Sequence, residues 1–355
     1  MERSQVLVAG LGQCGCILAN GMKKKNGRYT PIFINSSRGD LKGLTFANDV
    51  NTFIYGGADG SGRDRDKAEG FILNDQLRLA SFIKKYLQFN YMTVFFSTDG
   101  GTGSGTIKEY VKTVKKISPS MVVNLVGVLP NLKEDMLQLK NALSCLADLS
   151  EIADELVNDI KFINNNKGTN YEDINRRAIA DIDAEYGLLA HSSIGSIDEN
   201  NLDNVCTSKG YGVVLNMPTN YNDVSEAFVV ARENSVFSIP NDLTCTYGAV
   251  CVKESDYNVD LLTQSLSADE TIYKSYNLKN NIICLGGCEM PYDEINDIEN
   301  ELNEREMHRR SSNRNRGFNF KTNIVKKEKV NTTNQAYDVI DDDDLDALFN
   351  PENIL

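Results

Sequence analysis

A seven-residue, mostly apolar run, YMTVFFS (91–97), opens directly onto TDGGTGSGT (98–106). Four glycines behind a buried strand contribute no packing and raise the entropic cost of ordering the backbone, so a core has no use for them. Gly100, Gly101, Gly103 and Gly105 instead let backbone N–H groups converge on an anion, while Thr102, Ser104 and Thr106 add hydroxyls. A helix over 106–117 then turns its positive N-terminal end towards the same point. The stretch therefore predicts a strand–loop–helix unit that cradles phosphate.

The rest of the first half fits that unit. QVLVAG (5–10), YTPIFIN (29–35) and MVVNLVGVLP (121–130) are near-continuous apolar runs, the pattern of strands buried on both faces of a parallel sheet. Helices are expected between them, one carrying Leu73, Leu77, Ala80, Ile83 and Leu87 on its apolar face and one from about Glu134 to Ile160. The predicted class is α/β, with a doubly wound, mostly parallel sheet. Residues 1–168 form the binding domain and 169–190 a long central helix. Residues 191–290 form a smaller mixed α/β domain, with strands at 210–218, 243–254 and 281–291 and helices near 222–234 and 258–267. An amphipathic helix over 291–310 follows, with Ile295, Ile298 and Leu302 on one face, and then a flexible tail over 311–355.

Composition removes several chemistries. The 355 residues include two histidines, His191 and His308, and eight cysteines without a CxxC pair. A zinc site, a disulfide framework and a Ser-His-Asp or Cys-His centre are therefore not expected. No apolar run reaches the ~20 residues of a membrane span. The N-terminus passes almost at once into a strand, so a cytoplasmic protein without membrane attachment is expected. The net charge is −13, yet Arg305, Arg309, Arg310, Arg314, Arg316, Lys321, Lys326, Lys327 and Lys329 crowd one segment, and the last nineteen residues contain no Lys or Arg.

A second glycine loop, GLGQCG (10–15), follows the first strand and fits GxGxxG, with Gly12, Gln13 and Cys14 at its centre. A dinucleotide-dependent oxidoreductase would want an acidic residue at the end of the second strand. That strand ends in Asn35-Ser36-Ser37, and the glycine loop at 100–105 would have no role. There is no GxxxxGK[ST], which excludes a P-loop NTPase.

In this order the loops resemble those of the tubulin/FtsZ superfamily of GTP-driven filament proteins. GGTGSGT is similar to the family signature. GQCG resembles its first nucleotide loop and GADGSGRD (57–64) its third, which brings in Gly57 and Ala58. LPNLKED (129–135) resembles the loop whose glutamate meets the ribose, which implies roles for Pro130 and Glu134. FINNNK (162–167) resembles the guanine-reading loop, so one of Asn164, Asn165 and Asn166 is implied, with Asn165 and Asn166 favoured. YEDIN places Tyr171 and Asn175 on one helical face, where a ring can stack on a purine and an amide can bond its edge. Asn35, Ser36, Ser37 and Asp40 are implied near Mg²⁺ and phosphate.

The resemblance further implies GTP and GDP as ligands, head-to-tail self-association, and hydrolysis completed by an acidic loop of the next subunit. SIGSIDENNLDNV (193–205) resembles that loop. With Ile197, Leu202 and Val205 buried, Asp198 takes the first acidic position and Asn201 the second; a shifted loop would bring Glu199 or Asp203 forward instead. Within the superfamily the short chain and its basic-then-acidic tail are most similar to the plasmid and phage partition tubulins (TubZ). That implies a DNA-bound adaptor docking on the tail and centromere-like DNA as an indirect partner. An FtsZ-like cell-division filament and a non-hydrolysing nucleotide-bound scaffold are the alternatives.

Overall fold

The computed structural model describes residues 2–188, 192–195, 197–219, 223–277 and 279–313. Of the tail expected at 311–355, with its adaptor-docking role, residues 314–355 lie outside the described residues, as does His191.

The first half contains β1 (Val6–Leu11), α1 (Gly12–Lys25), β2 (Thr30–Asn35), β3 (Thr52–Ile54), α2 (Arg65–Asn74), α3 (Gln76–Ile83), β4 (Tyr91–Ser97), α4 (Thr102–Ile117), β5 (Val122–Leu129), α5 (Met136–Ser150), α6 (Ala153–Leu156) and β6 (Asp159–Asn164). Then come α7 (Tyr171–Tyr186), β7 (Ser192–Gly195), α8 (Glu199–Thr207), β8 (Gly210–Asn216), α9 (Val224–Asn234), β9 (Cys245–Val252), α10 (Val259–Gln264), β10 (Ala268–Asn277), β11 (Ile282–Cys288) and α11 (Tyr292–Asn313).

Among the described residues the strands form one eleven-stranded sheet, ordered β3-β2-β1-β4-β5-β6-β8-β11-β9-β10-β7. From β3 to β8 every pairing is parallel. Beyond β8 the pairings become mixed, as β11 runs antiparallel to both β8 and β9. The fold is the expected α/β class, and β1, β2, β4 and β5 lie where the apolar runs put them.

β1 and β4 carry the two glycine loops and lie side by side, with Gly10 opposite Phe95. Their side chains are buried almost throughout, because helices cover both faces of a parallel sheet. α7 is held against this region at its C-terminal end. The Tyr186 hydroxyl lies 2.7 Å from Thr93 Oγ1, and Asp183 accepts from the Tyr29 hydroxyl at 2.9 Å and Arg3 Nε at 2.6 Å.

Three sequence expectations are corrected. The helix expected to run to Ile160 stops early, and Asp159–Asn164 is the sixth strand. Its charged residues pair internally, since Lys161 Nζ lies 2.5 Å from Asp159 and 3.2 Å from Glu185, all buried. The expected helix through Leu73 and Leu87 breaks at Asp75, and its buried residues include Ile72, Leu79, Phe82 and Ile83, while Leu77 is 85% exposed. The last helix extends beyond the expected Arg310 to Asn313. Among the described residues, no helix is long and apolar enough to cross a membrane.

Candidate functional site

The site starts where α1 and α4 begin side by side. Gly12, with φ +68°, makes the turn from β1 into α1, a conformation that disfavours a side chain. A Cβ on Gly12 would lie 2.8 Å from the Gly103 nitrogen, and a Cβ on Gly103 would lie 2.9 Å from the Leu11 carbonyl oxygen. The two glycines thus allow two helix N-termini to abut. The helices have 14 and 16 residues, so their unpaired first-turn amides and positive dipole ends open into one space.

That space is a cleft of about 480 Å³ lined by Gln13, Cys14, Ser36, Ser37, Gly100 and Thr102, among others, and also by Asp40, Asp59 and Arg63. Thr102 Oγ1 is its knot, 2.6 Å from Ser36 Oγ and 3.1 Å from Ser61 Oγ, so three loops share one hydroxyl cluster. Asn35 lies beneath this cluster. Its Oδ1 accepts from the Ser36 N–H at 2.7 Å and the Ser37 N–H at 3.3 Å, and its Nδ2 donates to Asp40 at 3.4 Å. Asn35 therefore shapes the second loop, and Ser36, Ser37 and Asp40 face the cleft.

Of the glycine-loop residues, Gly12, Gln13, Cys14, Gly100, Gly101, Thr102 and Gly103 line the cleft. Ser104, Gly105 and Thr106 have another use. Ser104 Oγ donates to the Gly100 carbonyl, the Gly105 N–H donates to the Gly101 carbonyl at 2.9 Å, and Thr106 Oγ1 donates to the Thr102 carbonyl at 2.7 Å. They build the first turn of α4, and Gly105 also gives α2 room to approach, since a Cβ there would lie 2.5 Å from the Arg65 carbonyl oxygen. In the third loop, Asp59 to Arg63 line the cleft in place of Gly57 and Ala58. Burial pushes the Cys14 thiol up to about 12, with the Asp99 carboxylate adding to the effect, so it stays protonated and is no nucleophile.

A smaller cavity of about 210 Å³ adjoins through Gln13 and Cys14 and is lined by Ile17, Val128, Asn165, Tyr171 and Asn175. Apolar floor, aromatic wall and two amides suit a purine. Tyr171 is 45% exposed, leaving ring surface open, and its hydroxyl donates to Glu134 Oε1 at 2.8 Å. Asn165 belongs to this cavity. Asn166 turns away, donating from Nδ2 to the Pro130 carbonyl at 3.2 Å and accepting from the Leu132 N–H at 2.9 Å. Asn164 is buried beneath, accepting from the Asn166 N–H at 2.9 Å. Pro130 and Asn166 therefore hold the loop that presents Glu134.

Two residues were not predicted. Asn141 Nδ2 of α5 donates to the carbonyls of Arg63, Asp99 and Gly100 at 2.9, 3.1 and 3.3 Å. Gln138 donates to Asp99 at 2.9 Å and accepts from Arg63 at 2.9 Å. Both are buried and tie the loop at Arg63 to the glycine loop at Asp99 and Gly100. Their signal in the sequence is a pair of amides at i, i+3 beside the apolar face of α5.

The acidic turn lies elsewhere. Asp198 is the N-cap of α8, accepting from the Asn201 N–H at 2.8 Å, while Asn201 Oδ1 accepts from the Asp198 N–H at 3.0 Å, a reciprocal capping box. Ile197, Leu202 and Val205 are buried as expected, and Asp198 and Glu199 are exposed. Asp203 accepts from the Tyr91 hydroxyl at 2.8 Å, and Asn124 of β5 donates to the Cys206 carbonyl at 3.0 Å. α8 thus lies across the N-terminal ends of β4 and β5, whereas the cleft is at their C-terminal ends. The seven residues of β4 separate the two by about 20 Å. The structure therefore does not bring Asp198, Glu199 or Asp203 to the cleft of their own chain.

Two helix N-termini at the C-terminal edge of a parallel sheet, beside a purine-sized cavity, define a nucleotide-binding α/β protein. The chain matches the profile of the Tubulin/FtsZ family, GTPase domain, over residues 5–167. It is similar to the tubulin-like protein TubZ of Clostridium botulinum C phage, with 26% identity over 310 residues, 87% of this chain and 85% of the relative. The structure of Clostridium botulinum phage c-st TubZ, with its C-terminal tail truncated, matches with a TM-score of 0.79 at 24% identity, covering 86% of this chain and 99% of that one. A GTPγS-form protofilament of Bacillus thuringiensis serovar israelensis TubZ matches at 0.71 and 14% identity, covering 86% of this chain and 94% of that one. The GDP-bound monomer of CetZ1 from Haloferax volcanii matches at 0.68 and 16%, covering 86% of this chain and 100% of that one.

Proposed function

We propose that the chain binds GTP in the joined cavities, stacks head to tail, and hydrolyses GTP where the α8 turn of one copy meets the cleft of the next. The observation that carries this reading is the separation along β4: the anion cradle and the exposed carboxylates of Asp198 and Glu199 lie at opposite ends of one subunit. A site divided in this way is completed only by a second copy in the same orientation. The protofilament architecture of the Bacillus relative supports the stacking.

In this reading the amides of α1 and α4 hold the phosphates, and Tyr171 stacks on the guanine. The amides of Asn165 and Asn175 bond the guanine edge, and Glu134 accepts from ribose hydroxyls. Asp198 or Glu199 orients the attacking water and is favoured over Asp203, whose carboxylate is held by Tyr91. Among the described residues no group of three or more His, Cys, Asp or Glu forms a metal cage. Asp40 and Asp59 fit Mg²⁺, which takes one or two carboxylates with phosphates and waters. When bound, Mg²⁺ would neutralise charge on the phosphates. The biological role proposed is segregation of plasmid or phage DNA through an adaptor bound by residues 311–355, supported by the similarity to a phage TubZ.

The test is phosphate release beside light scattering, with GTP and Mg²⁺, over a range of protein concentrations. Release that begins only above a threshold concentration, together with scattering, is expected. Release proportional to protein at every concentration would refute the shared site.

A further inference from the structure

The sequence places Arg305 in a run of basic residues, which suggests a solvated charge. In the fold it is part of α11, and its guanidinium is turned onto the loop that carries Glu134. Nη2 donates to the Leu132 carbonyl and Nη1 to the Glu134 carbonyl, while Nε donates to Glu301 Oε1 at 2.6 Å. A planar fork thus spans the two carbonyls on either side of Lys133, and Glu301 fixes its plane.

We propose that Arg305 is a positioning residue for the sugar side of the nucleotide site. This rests on the reading of the joined cavities as a GTP site. The segment between β5 and α5 has no regular structure, so its shape depends on such ties. It meets the base-side loop where Asn131 Nδ2 donates to the Asn165 carbonyl at 3.0 Å, and it meets α7 through Glu134 and Tyr171. A second link from α5 to α11, Lys140 to Glu306 at 2.7 Å, lies one residue beyond Arg305.

A carboxylate beside the ring of Tyr171 seeks hydroxyl donors, and in a nucleotide those nearest the base are on the sugar. Arg305 therefore governs the direction in which Glu134 presents its carboxylate. Its hydrogen bonds go to Leu132, Glu134 and Glu301, none of which belongs to the α1 or α4 N-terminus, so the phosphate grip is independent of it. The proposed coupling is confined to affinity that depends on sugar hydroxyls.

The experiment is calorimetric titration of the full chain with GDP and with 2′,3′-dideoxy-GDP, for wild type, Arg305→Ala and Arg305→Lys. Wild type is expected to prefer GDP by about tenfold, the scale of one hydrogen bond to a charged group. Arg305→Ala should lose most of that preference while its affinity for the dideoxy nucleotide stays within about twofold. Arg305→Lys, which keeps the charge but cannot span both carbonyls, should fall between, and it serves as the readout if the alanine variant does not fold. An unchanged preference in the variants, or equal weakening for both nucleotides, would overturn the positioning role and leave the site intact. Wild type binding neither nucleotide would instead remove the GTP reading, and this inference with it.

Discussion

The hydroxyl of Tyr91 donates to the carboxylate of Asp203 at 2.8 Å, at the end of β4 opposite the glycine loop. Burial and this carboxylate push the tyrosine well above its ordinary range, so it remains a donor at any working pH. Asp203 is thereby a structural anchor for α8, which leaves the exposed Asp198 and Glu199 as the carboxylates proposed to orient water. Asp198→Ala should lower polymer-dependent phosphate release about a hundredfold or more while sedimentable polymer still forms. Tyr91→Phe should keep the rate and cost about 1 kcal/mol in urea unfolding. A silent Asp198→Ala beside an inactive Asp203→Asn would reverse the assignment.

Gly103 and Gly100 should behave differently. A Cβ at Gly103 meets the Leu11 carbonyl oxygen at 2.9 Å, so Gly103→Ala must push α1 and α4 apart. It is expected to lose several kcal/mol of stability together with nucleotide binding. At Gly100 the nearest neighbour is Ser97 Oγ at 3.9 Å, and Gly100→Ala should melt within a few degrees of wild type. Thermal denaturation of both, without nucleotide, separates a packing role from a merely permissive one.

Asn141 donates to three carbonyls in two different loops that line the cleft. Asn141→Leu keeps approximate size and removes the donor, stranding those acceptors at about 1–3 kcal/mol. The melting temperature and GDP affinity should fall together, because the loops lose their common brace. GDP affinity held at the wild-type value would show that the loops keep their shape without it.

Asp181 gives a pH dependence of stability. Burial pushes its carboxyl up to about 7, against opposing help from Asn216, Arg177 and Lys25. The folded state therefore holds a proton that the unfolded state has released between the ordinary carboxylate range and about 7. Stability from this group is greatest at the acid side of that window and declines as pH rises to neutrality, by ~1.4 kcal/mol for each pH unit crossed. Asp181→Asn should abolish this component, gaining more over wild type at pH 8 than at pH 5 in urea midpoints. Parallel curves for the two proteins would show that Asp181 titrates normally.

Much of the parallel half was legible because apolar strands and glycine loops are local signals. GLGQCG and DGGTGSGT also mark the right place in the fold. β6 was hidden because Asp159 and Lys161 look solvated, whereas each is the other's partner inside the core. β10 was hidden for a different reason: ADETIYKSYN has exposed positions and no continuous apolar run. At the site, Tyr171, Asn175 and one of the adjacent asparagines are implied by the resemblance of their loops to the tubulin/FtsZ superfamily, not by spacing alone. Asn166 next to them has the same chemistry but turns to the Pro130 loop, which depends on chain path. Gln138, Asn141 and Arg305 could not be assigned from sequence, because their partners lie far along the chain: backbone carbonyls for Asn141 and Arg305, the side chains of Asp99 and Arg63 for Gln138.

The length of β4 also limits how copies of this chain can be arranged. If catalysis needs the cap of α8 against the cleft of another molecule, the line joining neighbours must run along the strands. Growth would then be end to end, not edge to edge, and the rims at β3 and β7 would face outward. Such a fibre is an arrow: one tip exposes an empty-handed carboxylate turn, the other an open cleft able to exchange its nucleotide. Only the second tip could be renewed directly from solution.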